Sequence, residues 1–512
     1  MTYKNKNQMR EIEIKLTGRS QTLDSSFNSL GDALASSTNV TSIYFDTADR
    51  RLWRLGLTLR LRAKDGRHEL TMKRETGTLE RGEWSAMVDE PVPDPGALPR
   101  GAPRDEFGLI LPEELQEWHR TDVCRQKKIV TVGEATFEAS LDRGRIAAGD
   151  RSIPVEELEI ELLGGADDAV ARVARSLVMQ RNVRVAFESK AARGVALARG
   201  QSPAWRKFQR PVLTTSDTVA SAFSTVITAT AHQVAGNLAA SHDGTDPEGV
   251  HQMRVGLRRL RSALSLFHDH LDPAAEGLKN DARVTLQAMG PARDLDVFLN
   301  EMLPPVIDAH PNSEPLQHLR VIAMRERAAA YVELRRTLDG RNFNRMLLDL
   351  LGAQDVARLL AVAPDVALPP VAARLLRKRH RKLIRTGRDF ATMPPEQRHE
   401  VRIAAKKLRY AIDFLGSLFP GDAARLYRKG MSRLQDDLGH LNDAAVTSDL
   451  VDRLAAGDIK AHLGAAIVKG WYAHRLAAIE PETVSAWSAF AQTPVFWKQP
   501  EPQKKIKKGK RL

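Results

Sequence analysis

The N-terminal part of the chain alternates charged and apolar residues in a pattern that a β-strand sorts onto two faces. The stretch E-I-E-I-K-L at residues 11–16 is the first example. Side chains of a strand point alternately to opposite faces, so Glu11, Glu13 and Lys15 share one face and the intervening apolar residues share the other. The apolar face can pack against a core, whereas the charged face needs partners of its own.

The same alternation returns in six further segments: T-S-I-Y-F-D, L-T-L-R-L-R, H-E-L-T-M-K-R, K-K-I-V-T-V, A-T-F-E-A-S-L-D and V-E-E-L-E-I-E-L-L. Their charged faces include Arg60, Arg62, Lys73, Glu159 and Glu161. Several strands at short spacing, with one face polar throughout, are typical of an antiparallel barrel. We therefore predict an α+β protein that begins with an antiparallel β-barrel domain over residues 8–200.

Acidic and basic rows lie on separate strands, which solubility alone does not require. If these faces turn inward, at least five carboxylates and four cations fill the lumen, and such burial is costly unless the groups bind partners. Carboxylate oxygens hold Mg²⁺ or Mn²⁺, Arg and Lys clamp phosphate oxygens, and a metal can bridge phosphates and activate water. The pattern predicts a tunnel for a polyphosphate-like substrate. A half-exposed sheet with a solvated charged face is the alternative.

From residue 217 to about residue 480 the chain is rich in Ala, Leu and Arg at helical spacing. The segment H-Q-M-R-V-G-L-R-R-L-R-S-A-L begins at His251, and H-E-V-R-I-A-A-K-K-L-R-Y-A-I begins at His399, 148 residues later. A second pair of similar segments follows in the same order, M-G-P-A-R-D-L-D-V and L-G-H-L-N-D-A-A-V. We predict an all-α domain of two duplicated helical bundles over residues 215–490.

Each copy of the repeat places basic residues along a stripe of one helix. The two sets are His251, Arg254, Arg258, Arg259 and Arg261, and His399, Arg402, Lys406, Lys407 and Arg409. A third basic helix, R-L-L-R-K-R-H-R-K-L-I-R, contributes Arg377 and Arg381. Basic residues along one stripe repel each other, so their repetition favours an anionic ligand over a merely solvated face. No second His or Cys lies at ligand spacing. The histidines are therefore better suited to donate hydrogen bonds to phosphate than to bind a metal.

The net charge of +13 is unevenly distributed. Residues 1–200 contain 31 Lys and Arg against 31 Asp and Glu, so the whole excess lies beyond them. Such asymmetry indicates that the C-terminal part faces a polyanion. The tail at 498–512, which includes K-K-I-K-K-G-K-R-L, is predicted to be basic and disordered.

We expect a soluble cytoplasmic protein without membrane insertion. No apolar run is long enough to cross a bilayer, and the first ten residues contain no apolar signal core. The single Cys124 can form neither a disulfide framework nor a cysteine metal site.

The segment E-I-E-I-K resembles the Glu-x-Glu-x-Lys signature of the CYTH family, the triphosphate tunnel metalloenzymes. Further matches follow in family order: the Arg60-x-Arg62 pair, Lys73, R-G-E at 81–83, Arg125, the acidic row at 157–161 and S-K-A-A-R-G at 189–194. The resemblance implies a charged tunnel that hydrolyses inorganic triphosphate with Mg²⁺ or Mn²⁺. It implies Glu11, Glu13, Glu159 and Glu161 as metal ligands, and Lys15, Arg60, Arg62, Lys73, Arg125 and Lys190 as triphosphate-binding residues. Glu11, Glu13 and Lys15 would form the catalytic group.

One position departs from the family pattern. Ser85 stands where members often carry a second acid, which leaves the metal stoichiometry and the substrate open. The family also includes adenylate cyclases, thiamine-triphosphate hydrolases and RNA-capping triphosphatases. Inorganic triphosphate can bind without a base-recognition pocket. We therefore favour it as the substrate.

The duplicated motif H-x-x-R-V-x-x-R-R-L-R resembles the CHAD domain, a helical module commonly found behind a CYTH domain. That resemblance implies two four-helix bundles with a basic groove for inorganic polyphosphate, and it raises association with polyphosphate granules. Two alternatives stay open, a non-catalytic polyphosphate-binding protein and a binder of nucleic-acid backbones. We do not expect nucleic acid as a specific partner, because only 5% of residues are aromatic and could stack on bases.

Overall fold

The structure, a computed structural model, describes residues 12–64, 67–74, 82–352, 356, 359–361 and 366–497. Glu11, Arg81 of the R-G-E motif and the basic tail at 498–512 lie outside these residues. Among the residues described, no helix is long and apolar enough to cross a membrane.

The N-terminal domain is built on one sheet of nine antiparallel strands. The strands are β1 (Glu13–Thr17), β2 (Ser36–Thr47), β3 (Leu57–Lys64), β4 (Arg67–Arg74), β5 (Gly82–Val88), β6 (Leu115–Val132), β7 (Ala135–Ala148), β8 (Arg151–Gly164) and β9 (Arg184–Ala186). Their order across the sheet is β5-β4-β3-β2-β6-β7-β8-β1-β9. The antiparallel strand domain predicted from the alternation is confirmed.

The sheet is open rather than closed into the predicted barrel. β5 and β9 are its two edges, and no pairing joins them within the described part of the chain. The edge strand β9 is only three residues long. Its Val185 N–H donates instead to Asn344 Oδ1 of the helical domain, at 2.8 Å. The Asn344 side chain thus accepts the hydrogen bond that the Val185 N–H would otherwise donate to a further strand.

Five helices accompany the sheet: α1 (Ser20–Asn28), α2 (Arg51–Arg54), α3 (Arg104–Phe107), α4 (Ala169–Arg181) and α5 (Lys190–Arg199). α1 and α4 cover the apolar face of one half of the sheet, where Leu16, Phe137 and Leu158 are buried. Leu59 and Leu70 are buried on the apolar face of the other half. The charged face of the strands is therefore the face opposite these cores, and α5 packs onto it.

Twelve helices of the described chain form the C-terminal domain. They are α6 (Val219–Ala235), α7 (Leu238–Asp243), α8 (Pro247–Leu266), α9 (Ala275–Ala288), α10 (Gly290–Val297), α11 (Pro304–Ala309), α12 (Glu314–Leu338), α13 (Arg341–Leu351), α14 (Leu368–Thr386), α15 (Pro395–Leu415), α16 (Asp422–Leu454) and α17 (Ile459–Ala491). α8 and α15 carry the repeated motif, and each begins at a proline, a residue suited to the first helical turn. Their apolar stripes enter one shared core, which confirms the duplicated helical unit.

The two domains are packed against each other. Leu348 of α13 is buried within the core of the sheet domain. Around it, Arg175 pairs with Asp349 and Arg184 pairs with Asp339, both at 2.6 Å. Apolar packing and two ion pairs therefore join the two domains.

Candidate functional site

The strand register brings the predicted acidic and basic residues onto one face of the sheet. Glu13 of β1 lies opposite Glu161 of β8, and Lys15 lies opposite Glu159. Arg125 of β6, two strands away from β8 in the sheet, lies opposite Asp142 of β7. The period of two in the sequence is therefore sufficient to place this part of the site.

Glu159 lies at the centre of an ion-pair network on this face. Its carboxylate is 2.9 Å from Arg125 Nη2, 3.0 Å from Lys190 Nζ and 3.5 Å from Lys15 Nζ. Lys15 also pairs with Glu13. Strand β1 thus contributes two side chains to this cluster, and β6, β8 and helix α5 contribute one each.

A buried layer of acids lies beside this cluster. Asp142 accepts two hydrogen bonds from Arg125, at 2.7 and 2.6 Å, and its Oδ2 is 2.7 Å from Lys190 Nζ. Glu157 pairs with Lys190 and accepts a hydrogen bond from Arg193 at 2.5 Å. The side chains of Asp142 and Glu157 are 0% and 3% exposed. They are placed to orient the cations rather than to meet a ligand.

The network sets the protonation states at the site. Burial favours the neutral form of Glu159, but the charges of Lys190, Lys15 and Arg125 outweigh it and hold the pKa of Glu159 well below its usual range. Burial likewise opposes the charge on Lys190, and the acids Glu159, Glu157 and Asp142 outweigh it, so the pKa of Lys190 is raised. For Glu157, burial prevails over Lys190 and the pKa is raised.

The basic strands β3 and β4 form the other half of the charged face, towards the β5 edge of the sheet. Arg62 Nε donates to Ser42 Oγ at 3.0 Å, and Arg60 Nη2 donates to Thr71 Oγ1 at 3.2 Å. Lys73 pairs with Glu83 at 2.8 Å. Burial, with the nearby charges of Arg60 and Arg125, lowers the pKa of Arg62 to about 10. A polyanion placed here would relieve that mutual repulsion.

The acidic groups have the chemistry of a site for Mg²⁺ or Mn²⁺. Carboxylate oxygens of Asp142, Glu157 and Glu159 lie within 4.8 Å of one another, and oxygen donors suit both ions. Asp142 and Glu157 are enclosed by cations, whereas the side chains of Glu13 and Glu159 are 22% and 15% exposed. Glu13 and Glu159 are therefore the more accessible of these acids, and Glu161 lies opposite Glu13.

Sequence reasoning did not assign Asp142, Arg193 or His119. The alternation in A-T-F-E-A-S-L-D could have found Asp142, because it places that residue on the charged face. His119 is 1% exposed and stacks on Tyr44, with 4.4 Å between the ring centroids. Burial lowers the pKa of His119 to about 3. The contact of His119 with α5 arises only from packing between distant elements, so no local sequence pattern predicts it.

In the helical domain, the two repeated stripes face each other. Arg254 and Arg258 of α8 approach Arg402 and Lys406 of α15 closely enough to perturb their protonation. Burial, followed by the charges of Arg402 and Arg258, lowers the pKa of Lys406 to about 7. Within the described residues, neither Arg258 nor Lys406 has a hydrogen bond or an ion pair. Asp443 acts on Lys406 and Arg402, and Asp294 acts on Arg254 and Arg258. These two acids are fewer than the four cations, so the surroundings favour an anion.

The other members of the stripes have distinct surroundings. Arg259 donates to Gln233 Oε1 at 3.0 Å and lies 3.4 Å from Asp413. Arg409 donates to Gln435 at 2.7 Å. Three further polar contacts involve residues of the stripes. They are His399 with Asn442 at 3.2 Å, Arg402 with Asn442 at 3.0 Å and Arg254 with the carbonyl oxygen of Leu286 at 2.8 Å. His251 has its pKa lowered to about 4 by burial and by Arg293.

The third basic helix, α14, meets the stripes through other residues than those predicted. Arg377 and Arg381 are exposed. Instead, Arg379 and Lys382 of α14 lie close enough to Lys407 to lower its pKa, after burial, which is the larger cause. α14 therefore contributes to the basic surface through Arg379 and Lys382.

A cavity of about 730 Å³ opens between α8 and α15. Its lining includes His251, Arg258, Arg259, Lys406 and Arg409, which all belong to the predicted stripes. Basic residues from both copies of the repeat therefore line one cavity within the described part of the chain.

The molecule belongs to the class of two-domain proteins in which a sheet with one face rich in carboxylates and cations precedes a basic helical domain that contains a repeat. Comparison with known proteins agrees. Residues 9–195 match the CYTH domain and residues 225–452 match the CHAD domain. The chain therefore contains a CYTH domain followed by a CHAD domain.

Individual relatives match either domain. The inorganic triphosphatase of Haemophilus influenzae is 28% identical over 162 residues, which are 31% of this chain and 46% of that protein. The chain thus spans less than half of the length of this relative. The crystal structure of the CHAD domain from Ricinus communis is 27% identical and covers 57% of this chain and 98% of its own, with a TM-score of 0.51.

Proposed function

We propose that the N-terminal domain hydrolyses inorganic triphosphate with Mg²⁺ or Mn²⁺, and that the helical domain binds inorganic polyphosphate. The observation that carries the first part is the cluster around Glu159, where Lys15, Arg125 and Lys190 converge beside Glu13. Acids for a metal and cations for phosphate are needed together only by a polyphosphate-like substrate. The similarity to the Haemophilus influenzae enzyme supports this assignment.

The residues divide into three roles. Glu13, Glu159 and Glu161, together with Glu11, would hold the metal, which when bound supplies Lewis acidity and activates water. The side chains that would contact phosphate oxygens are Lys15, Arg60, Arg62, Lys73, Arg125 and Lys190. Asp142 and Glu157 hold Arg125 and Lys190 in position, so the phosphate-binding cations are ordered before substrate arrives.

The test is phosphate release by the full chain from inorganic triphosphate, ATP and long polyphosphate, each with and without Mg²⁺ or Mn²⁺. We expect triphosphate to be the best substrate and chelation of the metal to stop the reaction. Equal or faster release from ATP would replace the assigned substrate. No release from any of the three would leave the sheet domain as a non-catalytic sensor.

Polyphosphate binding rests on Arg258 and Lys406, which line the basic cavity together and make no hydrogen bond or ion pair within the described residues. Binding should weaken steeply with salt, because association displaces counter-ions from the polyanion. Neutralising one stripe should weaken binding, and neutralising both should abolish it. Such binding would also carry the protein to polyphosphate granules.

Duplex DNA at equal charge concentration is the required competitor. Polyphosphate should stay bound in its presence, because a narrow cavity fits a thin linear anion better than a duplex. Displacement by DNA would show that the helices bind nucleic-acid backbones or any polyanion, and the polyphosphate assignment would fail.

A further inference from the structure

The segment that connects the two domains runs over the basic helices in a fixed position. It lies between the residues that match the CYTH domain and those that match the CHAD domain. Trp205 Nε1 donates to Asp246 Oδ2, and the backbone N–H of Arg206 donates to Asn237 Oδ1, both at 2.9 Å. Further on, the Leu213 N–H donates to Ser417 Oγ at 2.9 Å. We call residues 205–213 the strap.

The middle of the strap is anchored on the stripe of α8. The ring of Phe208 lies 4.2 Å from the guanidinium carbon of Arg259, a cation–π distance. Arg210 Nε lies 3.0 Å from Asp413, the same carboxylate that Arg259 approaches. These contacts hold the strap beside the basic cavity at a point between its two hydrogen-bonded ends.

The strap contributes directly to the lining of that cavity. Lys207, Phe208 and Arg210 line it together with Arg258 and Lys406 of the two stripes. Lys207 is exposed, and its ammonium group lies 5.6 Å from the ring of Trp205. Apart from this ring contact, the ammonium group has no hydrogen bond or ion pair within the described residues, so a phosphate group in the cavity can compete for it.

The charge of the strap shows whether it completes the site or masks it. A segment that masks a polyanion site would mimic the polyanion with carboxylates. Residues 201–217 instead contain Arg206, Lys207 and Arg210, and their one acid is Asp217. Arg210 pairs with Asp413, but placing Lys207 next to Arg258 and Lys406 is electrostatically unfavourable unless an anion lies between them.

We propose that the strap is the third wall of the polyanion site, in which Lys207 contacts a phosphate group held between α8 and α15. The ligand is a condensed phosphate chain, enclosed by α8, α15 and the strap. This inference rests on the proposed polyphosphate binding and extends it to residues outside both matched domains. It also places a part of the binding site on the chain that leads directly out of α5, the helix that carries Lys190.

The test compares full-length wild type with Lys207→Gln, Lys207→Arg and a control, Lys429→Gln, at an exposed lysine of α16 that does not line the cavity. Affinity for long polyphosphate is measured over a range of salt concentrations. Lys207→Gln should weaken binding about threefold to tenfold. The same variant should lower the slope of log affinity against log salt by about 1. Lys207→Arg and Lys429→Gln should bind like wild type.

The outcomes separate the two proposals. If wild type does not bind polyphosphate, the proposed function of the helical domain fails. If wild type binds, and Lys207→Gln matches Lys429→Gln in both affinity and salt slope, the strap is not a wall of the site and only the present inference fails.

Discussion

A Cβ atom added to Gly194 of α5 would lie 2.0 Å from Cδ2 of His119 on β6. His119 cannot yield readily, because it is buried and stacked on Tyr44. Helix α5 therefore rests on the charged face of the sheet at a distance that only glycine allows. Lys190 and Arg193 of the same helix reach the acids of the site from this position.

Gly194→Ala should accordingly lift α5 from the sheet. We expect a loss of about 1–3 kcal/mol in the free energy of unfolding, as for other overpacked sites. Triphosphatase activity should fall as well, because Lys190 moves with the helix. Thermal unfolding and phosphate release measure the two effects.

A matched control for that substitution is Gly277→Ala in helix α9, where an added Cβ meets nothing within 4 Å. It should stabilise by about 0.5–1 kcal/mol, since alanine favours a helix over glycine. The double variant Gly194→Ala/His119→Ala should recover part of the loss. Additive losses in the double variant would show that the two residues do not clash.

Asp142→Asn should destabilise the sheet domain. The carboxylate is buried and pairs with Arg125 and Lys190. Its removal takes one negative charge out of the buried network and leaves only Glu157 and Glu159 to balance these cations. The expected loss is about 3 kcal/mol, measured by calorimetry as a shift of the domain's unfolding transition. Asp122→Asn, which affects a weak 4.0 Å pair with Arg145 at the surface, is the control and should cost less than about 1 kcal/mol. Equal shifts in both would deny Asp142 its role in the network.

Glu13→Gln should abolish turnover without unfolding the protein. The amide keeps the shape of the side chain but is a poorer metal ligand, so we expect kcat/KM to fall by about 100-fold or more. Circular dichroism should be unchanged. Glu117→Gln removes a carboxylate that pairs with Arg120 at the surface, and it should retain activity. Wild-type turnover by Glu13→Gln would remove Glu13 from the mechanism.

Polyphosphate affinity should increase as the pH falls from about 8 to about 6. Lys406, with its pKa lowered to about 7 by burial and neighbouring cations, is mostly neutral at the upper pH and charged at the lower one. A bound polyanion favours the charged form, so binding takes up a proton. Lys406→Arg stays charged and should show a flatter dependence. Titration calorimetry in buffers of different ionisation enthalpy would detect the proton.

The same lysine affects stability with the opposite trend. Between its folded pKa of about 7 and its ordinary value of 10.5, the unfolded chain binds the proton and the folded chain does not. The contribution of Lys406 to the free energy of unfolding therefore rises with pH across this window. Lys406→Met, which cannot titrate, should lose this slope in the absence of polyphosphate, and an unchanged slope would contradict the depressed pKa.

Much of the active-site face followed from the sequence because it depends on local geometry. Strand period two alone places Lys15 and Glu13 on one face of β1, and Arg60 with Arg62 on one face of β3. Helical periodicity likewise places Arg254 and Arg258 on one stripe, and the 148-residue offset relates them to Arg402 and Lys406. These relationships hold within one strand, one helix or one repeat, so no long-range contact was needed to predict them.

Tertiary packing decided how these groups are used. Arg259 and Lys407 occupy equivalent positions in the two repeats, yet Phe208 and Asp413 hold Arg259 while Lys407 faces Lys382 of α14. Likewise, the alternation places Asp142 and Glu13 on the charged face alike. It does not predict that Arg125 and Lys190 enclose Asp142 while Glu13 stays more exposed. A sequence pattern determines the direction of a side chain relative to its own backbone. Burial and charge pairing depend on which distant elements cover that side chain, and only the folded chain brings them together.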